Sequence, residues 1–198
     1  MHPSPKKARG FSLLELMVAL AVASILAVVA APSFRDMLRR NKVSATSNAL
    51  LADLAYARSE AINRGNIVSI CPSTDQKSCT SSSTAYESGW IIYTYVPGKG
   101  KANTAYDNSD SSNILLRASN ARDNVSIRSV DSTIVSFGSQ GQTQPSSKQF
   151  KFDVCFLPPG VSGSGSSTDK VPGAMLTVNA SGSASSKSLP VQTTCVPS

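Results

Sequence analysis

A single carboxylate interrupts a long apolar stretch near the start of the chain. From Phe11 to Ala31 there are 21 residues, and Glu15 is the only charged one among them. A helix of about 20 apolar residues is long enough to cross the hydrocarbon core of a bilayer. A carboxylate inside such a span is costly, is functional by default and needs a partner. Cleavage after Gly10 would create that partner, because it would leave the amino group of Phe11 as a new N-terminal ammonium.

The residues around this carboxylate resemble the signal of a known protein family. Gly10-Phe11-Ser12-Leu13-Leu14-Glu15, preceded by a short basic leader, is similar to the class III signal of type IV prepilins and type II secretion pseudopilins. In that family a dedicated prepilin peptidase cuts after the glycine and methylates the amino group of the following phenylalanine. The resemblance implies that Gly10 ends the leader and that Phe11 starts the mature chain. It also implies that Glu15 receives the amine of a neighbouring subunit during assembly.

Two other interpretations of the stretch explain less of it. A secretory signal peptide has an apolar core of about 7–15 residues and a small-residue cleavage site. This run is longer, contains an acid and meets Pro32 directly after Ala31. A plain membrane anchor explains the length of the run but neither Gly10-Phe11 nor Glu15. The prepilin interpretation accounts for all of these features.

The charge of the chain indicates a mildly basic mature protein. The sequence contains 19 Lys and Arg against 12 Asp and Glu, which gives a net charge of +7. Lys6, Lys7 and Arg9 lie in the predicted leader, so the mature chain keeps 16 basic side chains and a net charge of +4. Such a charge permits binding to polyanions but does not indicate it.

Histidine is absent from the predicted mature chain. His2 is the only histidine of the sequence, and it lies in the leader. Histidine is the commonest metal ligand and a frequent general base, so its absence argues against a hydrolase and against a zinc enzyme. The sequence therefore predicts no catalytic residue, no metal site and no cofactor.

Four cysteines follow the apolar span: Cys71, Cys79, Cys155 and Cys195. An even number of cysteines in an exported domain indicates two disulfides. Of the three possible pairings we favour Cys71–Cys79, which closes a short polar loop, together with Cys155–Cys195, which ties the C-terminal tail to a strand. Metal binding is the alternative, but neither pair has the CxxC spacing of a zinc site.

The helix predicted for the span continues beyond it. Pro32 is expected to kink this helix rather than end it. Past the proline, apolar residues recur at helical spacing and form a stripe that should face a core, and Gly65 follows Arg64 as a C-terminal cap. The stripe consists of Val43, Leu50, Leu51, Leu54, Ala57, Ala61 and Ile62.

After Gly65 the pattern changes to that of short β-strands. Seven strands are predicted: Ile67–Cys71, Gly89–Tyr95, Ile114–Arg117, Val125–Val130, Thr133–Phe137, Phe150–Phe156 and Ala174–Val178. The Gly/Ser-rich segments Gly160–Asp169 and Ser181–Ser188 are predicted to be flexible loops. The expected fold class is α+β, with a long kinked N-terminal helix packed against a C-terminal antiparallel β domain.

The sequence thus divides the chain into four parts. These are a leader at 1–10, a transmembrane and assembly helix at 11–31, its amphipathic continuation at 32–65 and a β domain at 66–198. Basic residues flank both ends of the span, so the positive-inside rule leaves its orientation open. The cysteines and the prepilin resemblance place the β domain in the periplasm. The chain would then be anchored once in the bacterial inner membrane before it enters a pilus or pseudopilus.

The later part of the chain resembles the GspH/FimT group of pilins. The similarities lie at Tyr56–Ile62, which matches the ARSEAI segment of that group, at Ile70–Ser73 with Cys79, at Gly89–Ile92 and at Phe137–Gly141. They imply the pilin fold, in which an N-terminal helix is followed by a β domain of two sheets. Arg58 lies inside the apolar stripe, so its stem should pack while its head meets carbonyls at a sheet edge. Glu60 and Arg64 should form an i,i+4 ion pair.

Members of this group differ in role. FimU-like minor pilins help to prime pilus assembly, GspH pseudopilins lie at the tip of a type II secretion pseudopilus, and FimT-like pilins bind DNA for natural transformation. The DNA-binding members share a Gly-Arg-x-Arg motif, whereas this chain has Gly182-Ser183-Ala184-Ser185 at the matching place. Contacts to phosphate need cations or other donors, so DNA binding through this segment is doubtful.

The resemblance therefore implies a minor pilin that is processed by prepilin peptidase and assembled with other major and minor pilins. We expect it at or near the tip of a type IV pilus, where it would help to prime filament assembly. A GspH-like pseudopilin of a type II secretion system and a FimT-like DNA-binding pilin are the alternatives.

Overall fold

The structure of the protein is a computed structural model that describes residues 12–80, 83–130, 134–145 and 148–197. The chain forms two compact units, Met1–Leu38 and Arg39–Ser198. Gly10 and Phe11, the predicted cleavage site, lie outside the described residues. Within the described part there are one long helix and nine strands.

Helix α1 spans Leu13–Arg64 and contains 52 residues. It begins with a capped first turn, because the Oγ atom of Ser12 accepts the backbone N–H of Glu15 at 3.2 Å and the Ser12 carbonyl accepts that of Leu16 at 3.1 Å. A serine at this position satisfies donors that otherwise have no partner in a helix. Both of these bonds come from Ser12, and among the described residues no contact of the Glu15 side chain adds to the cap.

The first unit presents a nearly continuous apolar surface. Its large apolar side chains between Leu13 and Val28 are all more than half exposed. In the described residues no single helix is long and apolar enough to cross a membrane. The arms Leu13–Val28 and Ala30–Arg64, bent by 42°, pass that test together by length and composition. We attribute the bend to Pro32, because a proline has no N–H to donate to the carbonyl four residues earlier.

The C-terminal end of α1 has the cap expected from the sequence. Gly65 adopts a φ of +60°, its N–H bonds the carbonyl of Ile62, and the N–H of Asn66 bonds that of Ala61. These two bonds form a Schellman motif, for which a residue in the left-handed region is required. In the last turn Arg64 Nε pairs with Glu60 Oε2 at 2.6 Å, so the predicted i,i+4 pair is present.

The β domain consists of two antiparallel sheets. Their strands are β1 (Val68–Pro72), β2 (Trp90–Tyr95), β3 (Asn113–Ser119), β4 (Val125–Ser129), β5 (Val135–Phe137), β6 (Thr143–Gln144), β7 (Phe150–Phe156), β8 (Ala174–Val178) and β9 (Ala184–Ser188). The first sheet has the order β3-β2-β1-β5-β6, and the second has the order β4-β7-β8-β9. The predicted α+β class, with a long helix and an antiparallel β domain, is confirmed.

Two strands were missed by the sequence analysis, which predicted seven. One is the two-residue strand β6. The other is β9, which lies in the Ser181–Ser188 segment that was predicted to be a flexible loop. All five residues of β9 pair with β8, from Val178 opposite Ala184 to Ala174 opposite Ser188. The ladder of backbone hydrogen bonds and the tight turn at Gly182 hold this strand, although serine has little β propensity.

The other Gly/Ser-rich segment, Gly160–Asp169, is also tied down in its second half. Gly165 donates its N–H to Ser126 Oγ at 2.7 Å, and Ser167 exchanges two backbone hydrogen bonds of 3.0 Å with Gln192. Ser167 is only 1% exposed. The prediction of a wholly flexible loop was therefore wrong for residues 165–167.

One hydrophobic core joins the helix to both sheets. Five residues of the predicted stripe are buried in it: Val43, Leu50, Leu54, Ala57 and Ala61. Opposite them lie buried residues of both sheets, such as Ile70, Trp90 and Phe137 from the first and Phe152, Val154 and Leu176 from the second. All of these residues belong to Arg39–Ser198, so this unit has a core of its own and should fold alone. Ile62 differs from the prediction, because it is 48% exposed.

The connection between β2 and β3 covers the outer face of the first sheet. The hydroxyls of Tyr93 and Tyr95 both donate to the carbonyl of Thr104, at 2.7 and 2.8 Å. Burial raises the pKa of Tyr93, so its hydroxyl remains a donor over the whole physiological range. The Cys71–Cys79 disulfide borders the same cluster. A second, smaller core therefore lies on the side of this sheet that faces away from α1.

The C-terminal tail covers the outer face of the second sheet. Cys195 in the tail is bonded to Cys155 on β7, and both are fully buried beside Leu189. The two disulfides are thus the pairs that the sequence favoured. Asp153 lies under the same tail and is only 2% exposed. Its Oδ2 atom accepts a hydrogen bond of 3.2 Å from Gln192, whereas Oδ1 has no partner among the described residues.

Replacing Asp153 with Asn should stabilise the fold at neutral pH by about 1 kcal/mol, because it keeps the shape of the side chain and removes a buried charge for which Gln192 is the one hydrogen-bond donor among the described residues. Burial raises the pKa of Asp153, so its charged form is less favourable in the folded than in the unfolded state. The stability that this residue contributes is present below the ordinary aspartate pKa and is lost as the pH rises through the raised value. The free energy of unfolding of the Asn variant, relative to that of the native chain, should therefore increase as the pH rises from 3 to 7. Thermal unfolding across that range measures the difference, with the exposed Asp169→Asn as control, and a constant difference between variant and native chain would contradict the assignment.

Candidate functional site: the Arg58 clamp and the adjoining sheet edge

The residues that the sequence analysis singled out lie in separate places. Glu15 is exposed in the first turns of α1, and no described residue hydrogen-bonds or pairs with its carboxylate. Pro32 lies within α1, and the four cysteines form two separate disulfides in the β domain. The structure does not gather these residues into one site. A different set of residues, taken from the segments that resemble the GspH/FimT group, is brought together instead.

Arg58 holds the two sheets together from the helix. Its Nε donates to the carbonyl of Gly141 at 3.0 Å, and its Nη2 donates to the carbonyl of Ser181 at 3.2 Å. Gly141 belongs to the loop between β5 and β6 in the first sheet, whereas Ser181 lies in the turn between β8 and β9 in the second. The predicted contact of this guanidinium with carbonyls at a sheet edge is confirmed. We call Arg58, Gly141, Ser181 and Gly182 the Arg58 clamp.

The two loops of the clamp are in backbone contact. A Cβ atom on Gly182 would lie 1.8 Å from the carbonyl oxygen of Gly141, and one on Gly141 would lie 2.7 Å from Cδ1 of Ile62. Nearby, the N–H of Thr143 bonds the carbonyl of Ala180 at 3.0 Å. The glycines are thus required for close approach, and the Phe137–Gly141 motif and the Gly182 turn meet at one point because of them.

Replacing Gly182 with Ala should lower the free energy of unfolding by about 2 kcal/mol, in the range found for overpacked sites. Gly160→Ala is a matched control, since Gly160 has a φ of +77° against +78° for Gly182 but no atom within 4 Å of the place that a Cβ would occupy. The strain of a left-handed alanine is common to both variants, so their difference isolates the contact with Gly141. Chemical denaturation of both variants measures it, and equal losses would show that the contact is unimportant.

Asp53 forms a second junction between the helix and the first sheet. It is 5% exposed and accepts three hydrogen bonds: from Trp90 Nε1 at 2.7 Å, from Arg117 Nη1 at 2.7 Å and from Ser119 Oγ at 2.9 Å. These donors come from β2 and β3. The hydrogen bond to Asp53 raises the pKa of the Arg117 guanidinium. A buried carboxylate with three donors is well satisfied, so the junction fixes the position of β3 on α1.

Aromatic rings extend this junction. The guanidinium carbon of Arg117 lies 4.3 Å from the centre of the Tyr56 ring, and that of Arg122 lies 5.3 Å from the centre of the Trp90 ring. Both distances are within the range of cation–π attraction. The sequence analysis missed Asp53, although its position among the apolar residues of the stripe was a signal. A charged residue on a core-facing stripe needs a partner, but the pattern does not say which.

Two clefts lie between α1 and β9. One, of about 410 Å³, is lined by Leu51, Ala55, Ile62 and Ala184 together with residues of the clamp. The other, of about 320 Å³, is lined by Arg40 and Val43 from α1 and by Ser186, Lys187 and Ser188 from β9. The small side chains of β9 leave this space open. An open groove therefore begins beside the clamp and follows the edge of the second sheet along β9.

The segments that build the clamp and the Asp53 junction match a known family. Residues 46–182 match the family described as Type II transport protein GspH, and this match covers more than two thirds of the chain. The chain belongs to the GspH family. Its matched part begins on α1 and ends in the β8–β9 turn, so it includes Asp53, Arg58, Gly141 and Gly182.

Further similarities agree with this family. Residues 5–31 match the prokaryotic N-terminal methylation motif, which includes Gly10, Phe11 and Glu15. Two curated fimbrial proteins of Pseudomonas aeruginosa are each 32% identical over 106 residues, which is 53% of this chain and 64% of theirs. The alignment thus spans a little less than two thirds of the length of these relatives.

The fold is similar to that of a minor pilin of known structure. Two crystal structures of the type IV minor pilin FimU of Pseudomonas aeruginosa strain PAO1 match with TM-scores of 0.53 and 0.50 and identities of 19% and 20%. The matches cover 77% and 75% of this chain and 96% and 98% of those chains. At this identity the likeness shows the fold alone. The GspH-family chain therefore has the pilin fold.

Proposed function

We propose that this chain is a minor pilin that is processed by prepilin peptidase and incorporated at or near the tip of a type IV pilus. There it would help to prime filament assembly with other major and minor pilins. Its role is structural rather than catalytic. The observation that carries the proposal is the methylation-motif match at residues 5–31, which contains the Gly10–Phe11 bond and Glu15.

The first unit supports an assembly role. Its apolar side chains from Leu13 to Val28 are exposed, although such a surface is stable only when lipid or protein covers it. In the proposal the inner membrane covers it before assembly, and neighbouring pilin helices cover it in the filament. The carboxylate of Glu15 then pairs with the methylated amino group of Phe11 from a neighbour.

The disulfides support a location outside the cytoplasm. Cys71–Cys79 and Cys155–Cys195 are both buried or partly buried, and such bonds form and persist in oxidising compartments such as the periplasm. In the proposal the β domain folds in the periplasm while α1 anchors the chain once in the inner membrane. The domain then moves to the cell surface with the pilus.

Replacing Glu15 with Ala should reduce incorporation into filaments by about tenfold, equivalent to about 1.4 kcal/mol. The helix start should be unaffected, because Ser12 rather than Glu15 caps it. Membrane insertion and leader removal should also proceed normally. The amount of chain in sheared pili, relative to that in the membrane, measures the effect. Glu60→Ala removes an acid of the same helix outside the span and is the control; if both variants assemble equally well, the proposed role of Glu15 is wrong.

The second candidate function is that of a pseudopilin in a type II secretion system. The family description, Type II transport protein GspH, favours it. Both roles need the same processing, fold and anchor, so the host phenotype separates them. A deletion strain with fewer surface pili and normal protein secretion would support the pilus, and the reverse would support the secretion system.

DNA binding receives no support from the geometry. The turn at Gly182 and Ser183 contains no arginine, and Gly182 is there for its backbone contact with Gly141. The cations that line the neighbouring clefts are Arg58, which is engaged with two carbonyls, Arg40 on α1, which donates to the carbonyl of Lys170, and Lys187 on β9.

A further inference from the structure

In the part of the β domain that the structure describes, two strand edges are open, one in each sheet. The edge of β4 is covered, because the N–H groups of Tyr86 and Ser129 bond the carbonyls of Ile127 and Thr84. The edge of β6 is tied to Ala180 through Thr143. Among the described residues, β3 and β9 are the outer strands without such cover. An open edge presents a row of N–H and C=O groups that can pair with another strand.

The open edge of β9 offers backbone groups at three residues. The N–H of Leu189 bonds the carbonyl of Gly173 and the N–H of Asn179 bonds that of Ser183, which sets the alternation of the ladder with β8. In an antiparallel pair, residues alternate between bonding the partner and pointing away from it. The groups of Ala184, Ser186 and Ser188 therefore point away from β8, and no described backbone group bonds them.

The side chains of these three residues leave room for another strand. Ala184 and Ser186 lie opposite Val178 and Leu176, which are core residues, so they face the helix side of the sheet. They line the two clefts beside α1. A strand added at this edge would place every second side chain over these clefts, where Leu51 and Val43 offer apolar contact.

The open edge of β3 carries exposed apolar side chains and is preceded by acids, which complements the β9 edge. Ile114 and Leu115 are each 39% exposed. The N–H of Val96 bonds the carbonyl of Ser112, and the resulting alternation directs the backbone groups of Leu115 away from β2. Two exposed carboxylates, Asp107 and Asp110, precede the strand.

We propose that the β3 edge of one copy of this chain pairs antiparallel with the β9 edge of the next copy. The antiparallel direction brings Asp107 and Asp110 of one copy to the end of β9 in the other, where Lys187 lies on β9 and Arg40 lies on α1 with its Nε donating to the carbonyl of Lys170. Opposite charges then meet at this end, whereas the parallel direction would move the acids to the other end. A lysine on an exposed edge discourages pairing with strands that bring no acid. Lys187 therefore makes the β9 edge selective for a strand that is accompanied by acids.

The register follows from the outward groups. The pairing of β3 with β2 shifts directly after Leu115, so Asn113 and Leu115 are the outward residues of β3 before this bulge. When they lie opposite Ser188 and Ser186, at the end of β9 where Lys187 is, Ser186 lies opposite Leu115. The Leu115 side chain then covers the groove between β9 and α1 of the next copy. The two edges differ, so the contact is head-to-tail and can repeat from one copy to the next. This proposed β3–β9 pairing goes beyond the proposed pilin role and does not depend on which filament the chain enters.

Cysteine cross-linking between two single variants tests this pairing. Leu115→Cys and Ser186→Cys are prepared as full-length chains in detergent, one of them with an affinity tag, and are mixed under mild oxidation. The native cysteines are all in disulfides, so the new thiols are the reactive ones. Hydrogen-bonded antiparallel pairs have Cα atoms about 5.5 Å apart, within disulfide reach. The mixed dimer should exceed either homodimer by about tenfold, since only head-to-tail contact places the two positions opposite each other.

Ser185→Cys replaces Ser186→Cys in the matched control, because its side chain lies on the other face of β9, and this mixture should give no excess. If the Leu115 and Ser186 variants also give no excess of mixed dimer, the pairing is wrong. A second measurement avoids new cysteines: Ser186→Pro removes an outward N–H but no bond to β8. It should weaken self-association of the full-length chain, measured by sedimentation, by about tenfold relative to Ser186→Ala. Equal association of both variants would likewise overturn the proposal.

Discussion

Asp53→Ala should lower the free energy of unfolding of the Arg39–Ser198 unit by about 4 kcal/mol. Hydrogen bonds to a charged group contribute about 1.5–3 kcal/mol, and a buried donor left without a partner costs about 1–3 kcal/mol. The variant loses the charged bond to Arg117 and leaves Trp90 Nε1, which belongs to a fully buried residue, without its acceptor. Ser119 on β3 loses its contact with the helix as well. Urea denaturation of the native and variant units measures the change.

Glu60→Ala is the matched control for Asp53→Ala. It removes an acid of the same helix, but one whose ion pair with Arg64 is local and solvent-accessible. Such pairs contribute about 0.3–0.5 kcal/mol. A loss for Asp53→Ala that is no larger than that for Glu60→Ala would show that the junction does not hold β3 on α1.

Removing the Cys155–Cys195 disulfide by a double Ser substitution should cost about 4 kcal/mol, which is more than removal of Cys71–Cys79. The residues of the first bond are 40 apart and those of the second are 8 apart. In the chain-entropy model a longer closed loop restricts the unfolded chain more, and the two loops correspond to about 4 and about 2.5 kcal/mol. The longer bond also holds the tail over β7, where Gln192 contacts Asp153.

The two disulfide variants serve as controls for each other, because each removes two buried or half-buried sulfur atoms and leaves one bond in place. Urea denaturation of both under the same conditions gives the comparison. Equal losses, or a larger loss for the Cys71–Cys79 variant, would show that restriction of the tail contributes little to stability.

The helix and most strands could be predicted because their signals are local. Val43, Leu50 and Leu54 recur at the helical period, and a proline and a glycine mark the kink and the end of α1. The strands β7 and β8 were predicted with the bounds that they have in the structure, because apolar and β-branched residues fill them. The contact of Arg58 with carbonyls was predictable as well, since a cation inside an apolar stripe has to place its head at a polar edge.

The junctions of the site could not be predicted, because their partners are distant in sequence. Asp53 bonds Trp90, Arg117 and Ser119, which lie 37, 64 and 66 residues away. Strand β9 consists of serine, alanine and lysine, and it forms because β8 offers a ladder and Gly182 permits the turn. Such elements are decided by tertiary contacts rather than by local preference. The groove beside β9 follows from the same small side chains.

The intact mass of the native chain, extracted from the membranes of its host, tests the central claim most directly. The claim is that this GspH-family chain is a processed pilin whose mature N-terminus takes part in assembly. It predicts a mass that lacks residues 1–10 and carries a single added methyl group, which fragmentation places on Phe11. A full-length N-terminus, or one created by a cut near Ala31, would contradict the account.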